Sequence, residues 1–289
     1  MIARAPRRLL VTGAGGMLGR DLVDAAAAGG WEVLGLTRSM LDVTDAGACR
    51  DAVAGVDAVL NAAAWTDVDG AEAHETDAHA INAIGAQHLA AAARAAGAVL
   101  VQYSTDYVFS GETAAPWQED APRDPVNAYG RTKAVGEMLA LDAHPEGTIV
   151  LRTAWLYGAH GPNFVHTMSR LYREHGALTV VDDQHGQPTW TRDLAQQTLQ
   201  VLDAGVRTGI LHGTNSGRTT WCGFARAIVE NLGGDPASVH PTTSAHFPRP
   251  ARRPTHSELG HDAWSAHGLS PMRPWRAALD DAMATGLVT

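Results

Sequence analysis

The chain has 289 residues, with 22 Lys and Arg against 31 Asp and Glu for a formal net charge of -9, and 45% of its residues are hydrophobic. A length of this order buries a substantial core and predicts one globular body with two lobes. The acidic residues are scattered, so no basic face is offered to a nucleic-acid backbone.

Residues 1–10 are interrupted by basic residues and proline before the short apolar run Leu9 to Val11. That is too little for a signal peptide or a membrane span, which predicts a cytoplasmic protein. Short apolar runs then alternate with Ala-rich stretches, the pattern of βαβ units that build a parallel sheet. Strands are predicted at residues 8–12, 32–37, 58–62, 99–104 and 148–153, with helices at 18–28, 46–54, 78–96 and 131–143. The predicted fold is α/β, a Rossmann-type doubly wound parallel sheet with a smaller C-terminal substrate-binding lobe. Residues 1–155 form the dinucleotide-binding part and 156–289 mainly the lobe, with residues 191–215 returning to the core. In the second part we predict helices at 164–174, 192–203, 221–232 and 275–284, a loop over 182–191 and a strand at 209–212. Pro241, Pro248, Pro250 and Pro254 punctuate the stretch before the last helix. Cys49 and Cys222 have neither C-x-x-C spacing nor a neighbouring His cluster, so both read as ordinary thiols and no metal is expected.

The run Leu9 to Gly19 reads strand, glycine turn, helix start, with G-x-x-G-x-x-G spacing at Gly13, Gly16 and Gly19. Gly13 permits the tight turn, Gly16 lets backbone approach a pyrophosphate and Gly19 allows close helix-to-strand packing, with Met17 and Leu18 at the helix N-terminus that attracts phosphate. A plain turn has the same glycines, and the position after an N-terminal strand favours the dinucleotide. At the end of the next strand Arg38 stands where an acid would select NAD, which favours the 2′-phosphate of NADP over a merely solvated arginine. Asp42 and Val43 would lie under the adenine. Ala62, Ala63 and Ala64 supply small side chains where backbone passes close to a cofactor, or a tightly packed strand end.

Of the 22 basic residues 21 are Arg, and the single Lys, Lys133, falls four residues after Tyr129 in a Y-x-x-x-K pattern. This spacing puts phenol and ammonium one helical turn apart on one face. A compact ammonium can reach the nicotinamide ribose and lower the Tyr129 pKa, so that Tyr129 shuttles a proton at neutral pH. Upstream, the run Val101 to Phe109 closes a strand with hydroxyls at the sheet edge where α/β proteins bind ligands. Thr105 is the third candidate, its hydroxyl holding a substrate carbonyl beside Tyr129, with Asp106 and Tyr107 next to it as substrate contacts. Strand capping is the plainer use of Ser104 and Thr105.

These motifs stand with L-D-V-T-D at 41–45, N-A-A-A-W-T-D-V-D at 61–69, S-T-D-Y-V-F at 104–109 and Y-G-R-T-K at 129–133. Further along come R-T-A-W-L-Y-G at 152–158, N-F-V-H-T-M at 163–168, D-Q-H-G-Q-P-T at 183–189 and R-P-A-R-R-P at 249–254. Over nearly its whole length the chain resembles the dTDP-4-dehydrorhamnose reductase family, the sugar-nucleotide 4-ketoreductases among extended short-chain dehydrogenases. The resemblance implies that Thr105, Tyr129 and Lys133 form the catalytic set. It also implies that NADPH, with NADH as a substitute, delivers hydride to carbon 4 of a dTDP-linked 4-keto-6-deoxysugar, in rhamnose or secondary-metabolite deoxysugar biosynthesis. It assigns Trp155 to the sugar, Asn163 to the nucleotide, and Gln184, Arg252 and Arg253 to a cover over base and diphosphate. Some members hold a divalent ion at a subunit contact. Asp21 falls near such a place, but the C-terminal tail offers no convincing partner acid, and the chain is expected as a monomer or homodimer.

Two rivals share the glycine run and Y-x-x-x-K. A dehydratase or epimerase of nucleotide sugars is one; dehydration needs an acid and a base after the threonine, and here Asp106 is followed by Tyr107. A non-catalytic NADP-binding regulatory subunit is the other, and the intact Thr105, Tyr129 and Lys133 speak against it.

Overall fold

A six-stranded sheet, buried at its centre and more exposed at the edge strand, makes the central layer of the computed structural model, which describes residues 7–288; the sequence reading of residues 1–6 lies outside them. The chain runs β1 (Arg8–Thr12), α1 (Met17–Ala28), β2 (Glu32–Leu36), α2 (Ala46–Val53), β3 (Ala58–Asn61), α3 (Val68–Ala73), α4 (Glu75–His79), a π turn (Ala80–Ile84) and α5 (Gly85–Ala96). It continues through β4 (Val99–Thr105), α6 (Ala128–Ala143), β5 (Thr148–Thr153), β6 (Leu156–Tyr157), α7 (Phe164–His175), β7 (Leu178–Val181), β8 (His185–Gly186) and β9 (Thr189–Trp190). The remainder is α8 (Thr191–Asp203), β10 (Gly209–His212), β11 (Thr219–Thr220), α9 (Trp221–Asn231), β12 (Val239–Thr242), α10 (Ala263–Ala266) and α11 (Trp275–Ala284).

The sheet order is β10-β5-β4-β3-β1-β2, every pairing parallel. Continuous apolar strands suit this position, because helices cover both faces of a parallel sheet. On one face Leu9, Val11, Leu60 and Val101 pack with Leu18, Leu22 and Ala26 of α1 and Leu194 of α8; on the other Leu10, Val59 and Leu100 meet Leu89, Ala90 and Ala93 of α5. The strand order reverses between β1 and β3, and the crevice beyond their C-terminal ends is where such sheets bind ligands.

The predicted helix over 78–96 is longer and is interrupted. A π turn widens it, and from that turn the Asn82 side chain accepts from the Trp65 N–H at 2.9 Å and donates to the Thr132 hydroxyl at 3.0 Å. Asn127 caps α6 by accepting from the Gly130 N–H at 2.8 Å, so this helix begins before the predicted residue 131 and takes Tyr129 into its first turn. The stretch 182–191 is also less irregular than expected: β8 pairs antiparallel with β11, and β9 pairs parallel with β6. The lobe has its own aromatic core, in which Tyr157, Phe164, Trp221 and Trp275 surround Phe224. Among the described residues no helix is long and apolar enough to cross a membrane.

Candidate active site

A cavity of about 1780 Å³ opens at the C-terminal ends of β1, β3, β4 and β5 and reaches under the lobe. Pockets for one drug-sized ligand run up to ~1,000 Å³, so there is room for two large ligands end to end. Gly13, Gly16, Met17, Leu18, Gly19, Arg38, Asp42, Val43, Ala62, Ala63 and Ala64 line one end; Thr105, Asp106, Tyr107, Tyr129, Lys133 and Trp155 line the other. Asn163, Gln184, Arg252 and Arg253 are not among the lining residues.

The glycine turn is enforced by packing. Gly13 has φ +64°, and a Cβ there would sit 2.7 Å from the Ala62 carbonyl and the Ala63 nitrogen; one on Gly19 would meet the Gly13 carbonyl oxygen at 2.2 Å. Gly16 is the N-cap of α1, no side chain caps that helix end, and no acidic residue lies in its first turn. The amides of the first turn therefore face the cavity without an acceptor in the helix, the arrangement that receives a diphosphate. Arg38 and Arg20 are both exposed at this mouth, where Thr37 and Ser39 also stand. Arg20, whose Nε donates to the Gly15 carbonyl at 3.2 Å, was missed by the sequence reading because it lies inside the helix pattern, past the glycines. Two guanidiniums and no competing acid on the β2 loop tip fit a dinucleotide bearing a 2′-phosphate. Asp42 turns its carboxylate to the Thr44 N–H at 2.9 Å and hydroxyl at 2.7 Å, and these bonds hold its pKa below the usual carboxylate value.

At the other end β4 and α6 bring the hydroxyls and the amine together. Lys133 is only 4% exposed, and its Nζ donates to the Tyr103 carbonyl at 2.6 Å. That carbonyl closes a buried polar chain running Thr12 to Asn61 at 2.6 Å, Asn61 to Gln102 at 2.7 Å and Gln102 to the Tyr103 carbonyl at 3.0 Å. Burial lowers the Lys133 pKa to about 8, partly opposed by the charge of Glu137. The Tyr129 pKa, however, is raised by burial; the Thr105 hydroxyl facing the phenol opposes the rise and the Asp106 charge adds to it. The expected depression of Tyr129 by Lys133 is thus absent from this arrangement, because the ammonium is turned to the Tyr103 carbonyl and the phenol is desolvated. Thr105 accepts from the Tyr107 N–H at 3.1 Å and donates to Asp106 Oδ1 at 2.9 Å. The Tyr107 ring packs edge-on against Tyr129, with centroids 5.9 Å apart.

Behind the site, Glu137 is fully buried on α6 and takes a bidentate pair from Arg152 of β5, at 2.9 and 2.8 Å, plus Arg123 at 2.5 Å. These guanidiniums overcome the desolvation of the carboxyl and leave its pKa lowered.

Trp155 is the one non-glycine residue with positive φ, +46°, among the described residues. A conformation of this kind costs on the order of 1–3 kcal/mol and is held by its surroundings. Its indole stacks on Trp221 at 3.6 Å and 8°, and lies so close to Gly186 that a Cβ there would come within 2.5 Å. Gln184 accepts from Trp221 Nε1 at 3.2 Å, which puts Gln184 behind the tryptophan pair. Trp221 lines the cavity but had no motif to mark it in the sequence. Asn163 caps α7 through the His166 N–H at 3.1 Å and donates to the Gly158 carbonyl at 2.8 Å. Arg253 pairs with both oxygens of Asp69, at 2.5 and 3.0 Å, and faces Tyr107; Arg252 is exposed, and its carbonyl accepts from Asn127 at 2.7 Å. The Asp69 pair explains why the Arg-rich turn returns to the first half of the chain. Asp21 is grouped with Asp24 and His160, not with the C-terminal tail.

A doubly wound parallel sheet with a glycine turn at its reversal point, and a Thr, Tyr and Lys converging on the same crevice, defines an oxidoreductase of the short-chain dehydrogenase class. The comparisons are more specific. The family model of the RmlD substrate binding domain matches residues 7–287, and the chain belongs to that family. It is 50% identical over 281 residues to a dTDP-4-dehydrorhamnose reductase of Streptomyces griseus, covering 95% of this chain and 92% of the relative. It is 46% identical over 280 residues to a dTDP-4-keto-6-deoxy-D-glucose reductase of Streptomyces niveus, covering 95% and 96%. A dTDP-4-dehydrorhamnose reductase of Bacillus anthracis, solved in complex with NADP, superposes with a TM-score of 0.92 at 32% identity, covering 97% of this chain and 99% of that one.

Proposed function

We propose that the protein reduces the 4-keto group of a dTDP-4-keto-6-deoxyhexose with NADPH. The observation that carries this is the single cavity lined at one end by the uncapped α1 and two arginines and at the other by Thr105, Tyr129 and Lys133. Residues 16–19 would hold the diphosphate, Arg20 and Arg38 the 2′-phosphate, and Ala62 to Ala64 would let the cofactor pass close to β3. When bound, NADPH supplies the hydride, and NADH is an allowed poorer substitute that lacks the phosphate. Tyr129 donates its proton to the carbonyl oxygen as the alkoxide forms, and its raised pKa keeps it protonated until then. Thr105 holds that oxygen. Lys133, held beside the site by the Tyr103 carbonyl, would reach the ribose and restore the proton to Tyr129. The stacked Trp155 and Trp221 form the wall against which the sugar rests, with Asp106 and Tyr107 at its edge.

Residues 1–155 would then be the cofactor part and 156–289 mainly the substrate lobe. Asn163, Gln184, Arg252 and Arg253 would act from behind the cavity wall or on closure of the lobe, and the protein would work in the cytosol as a monomer or homodimer. The test is NADPH oxidation with dTDP-4-keto-6-deoxyglucose, with and without a 3,5-epimerase. Oxidation only with the epimerase gives an L-sugar reductase; oxidation without it gives a D-sugar reductase. Silence in both arms overturns the proposal. Tyr129→Phe is expected to bind NADPH normally while losing turnover by about 10²-fold or more.

A further inference from the structure

Asp106 is the buried acid that the proposed reduction does not yet use. It is 2% exposed and lies between β4 and the segment holding Ser257. Its Oδ1 accepts the Thr105 proton at 2.9 Å; the Ser257 hydroxyl and the backbone N–H groups of Asp106 and Tyr107 lie near enough to favour the charged form, yet no well-formed hydrogen bond reaches the buried Oδ2, and Ser257 donates to the His185 carbonyl at 3.3 Å. The groups around it are Thr105 on β4, Tyr107 on the following turn, Tyr129 on α6 and Ser257. The nearby cations are engaged elsewhere: Arg253 is held by Asp69 and Tyr107, and Lys133 by the Tyr103 carbonyl.

A hydroxyl has one proton. Thr105 already accepts from the Tyr107 N–H and faces the Tyr129 phenol, and it gives its only proton to Asp106. As long as Asp106 is a carboxylate, which can only accept, the Thr105 proton is held away from the cavity. Thr105 then cannot donate to a ketone. If Asp106 is a neutral acid, its own O–H donates to Thr105 Oγ1 and the Thr105 proton turns outward.

We propose that Asp106 is a positioning residue that works in its neutral form, directing the Thr105 hydroxyl proton toward the ketone oxygen. This rests on the reduction proposed above. The balance of that step is unchanged: hydride leaves NADPH for carbon 4, the C=O bond becomes C–O, Tyr129 gives its proton to the oxygen, and NADP⁺ and the alcohol remain. Asp106 loses no proton in it. Desolvation already moves the acid in the needed direction, to about 6, against the hydrogen bonds that favour the charged form. An anionic nucleotide sugar entering the cavity pushes it higher still.

The experiment is the pH profile of kcat/KM for wild type and Asp106→Asn, whose amide N–H can donate to Thr105 at any pH. Wild type is expected to lose activity tenfold per pH unit above the pKa of Asp106, and the Asn variant to have a flat profile between roughly pH 5 and 8. An Asn variant that keeps the wild-type limb assigns the limb to another group and overturns the proposal. An Asn variant that binds NADPH but is dead at every pH makes Asp106 a proton donor and overturns it too. Infrared titration of the substrate-free protein gives a readout apart from turnover. The carbonyl band of a protonated acid is expected to grow in as pH falls through about 6 and to persist to higher pH in Thr105→Val, which lacks the bond that favours the carboxylate. A band missing above the ordinary carboxylate range refutes the inference even if the Asn variant does not fold. Failure of the parent reading is distinct, since it shows as no turnover of any keto sugar by wild type.

Discussion

Glu137→Gln isolates the network that fixes α6. The substitution keeps the shape but removes the charge opposite Arg152, whose side chain is 1% exposed and cannot reach solvent, while Arg123 at 24% can turn outward. Breaking a buried pair on one side costs about 3–5 kcal/mol, because a desolvated cation is left behind. At the ~2 °C per kcal/mol usual for chains near this length, the melting temperature should fall by about 6–10 °C. Replacing both partners, Glu137→Met with Arg152→Met, should lose less than the single change, since no buried charge is stranded. The Glu137 pKa is lowered in the fold, so its contribution is fully present above the unfolded value of about 4.3 and is lost as pH falls below that, through the folded pKa. The Gln variant should therefore have a shallower decline in melting temperature with acid below about pH 4.3. Scanning calorimetry across pH measures all three. A fall below about 2 °C, or a double variant that loses more than the single change, would refute the reasoning.

Further outcomes concern the rest of the site. Arg38→Ala and Arg20→Ala should each weaken NADPH binding by about tenfold or more and leave NADH unaffected, as read by cofactor fluorescence, since only the former has a phosphate for a guanidinium to grip. Gly136→Ala places a Cβ 2.1 Å from the Asn82 carbonyl oxygen, so α6 must withdraw from the π turn; we expect a loss of about 1–3 kcal/mol by denaturant titration, with slower turnover. Trp221→Ala removes the ring on which Trp155 rests, and should raise KM for the nucleotide sugar about tenfold while the NADPH affinity holds.

The sheet was legible because its strands are continuous apolar runs and its helices Ala-rich, so period and length agreed. Its glycine turn was legible because Gly13 and Gly19 have no space for a side chain. What the sequence could not give were features set by distant partners. The π turn depends on Asn82 finding Trp65 and Thr132, and a helix pattern has no mark for it. Trp221 enters the cavity because Gly186 leaves room for the ring stacked on it, and Arg253 is occupied because Asp69 lies beside it in space, 184 positions away. The Lys133 charge was foreseen, but not the carbonyl it is turned to, since a backbone acceptor leaves no residue signature.

The one lysine of this chain has a consequence for anyone who labels it. The other 21 of the 22 Lys and Arg residues are arginines, and the sole ε-amine is 4% exposed at the bottom of the crevice. Acylating reagents that normally decorate a protein surface find no surface lysine here, so immobilisation, fluorophore coupling and amine cross-linking all fall back on the α-amino group. The same scarcity makes the amine a single-site reporter. With a pKa brought down to about 8, a good share of it is the unprotonated nucleophile in mildly alkaline buffer, and its rate of modification reports whether the crevice is occupied.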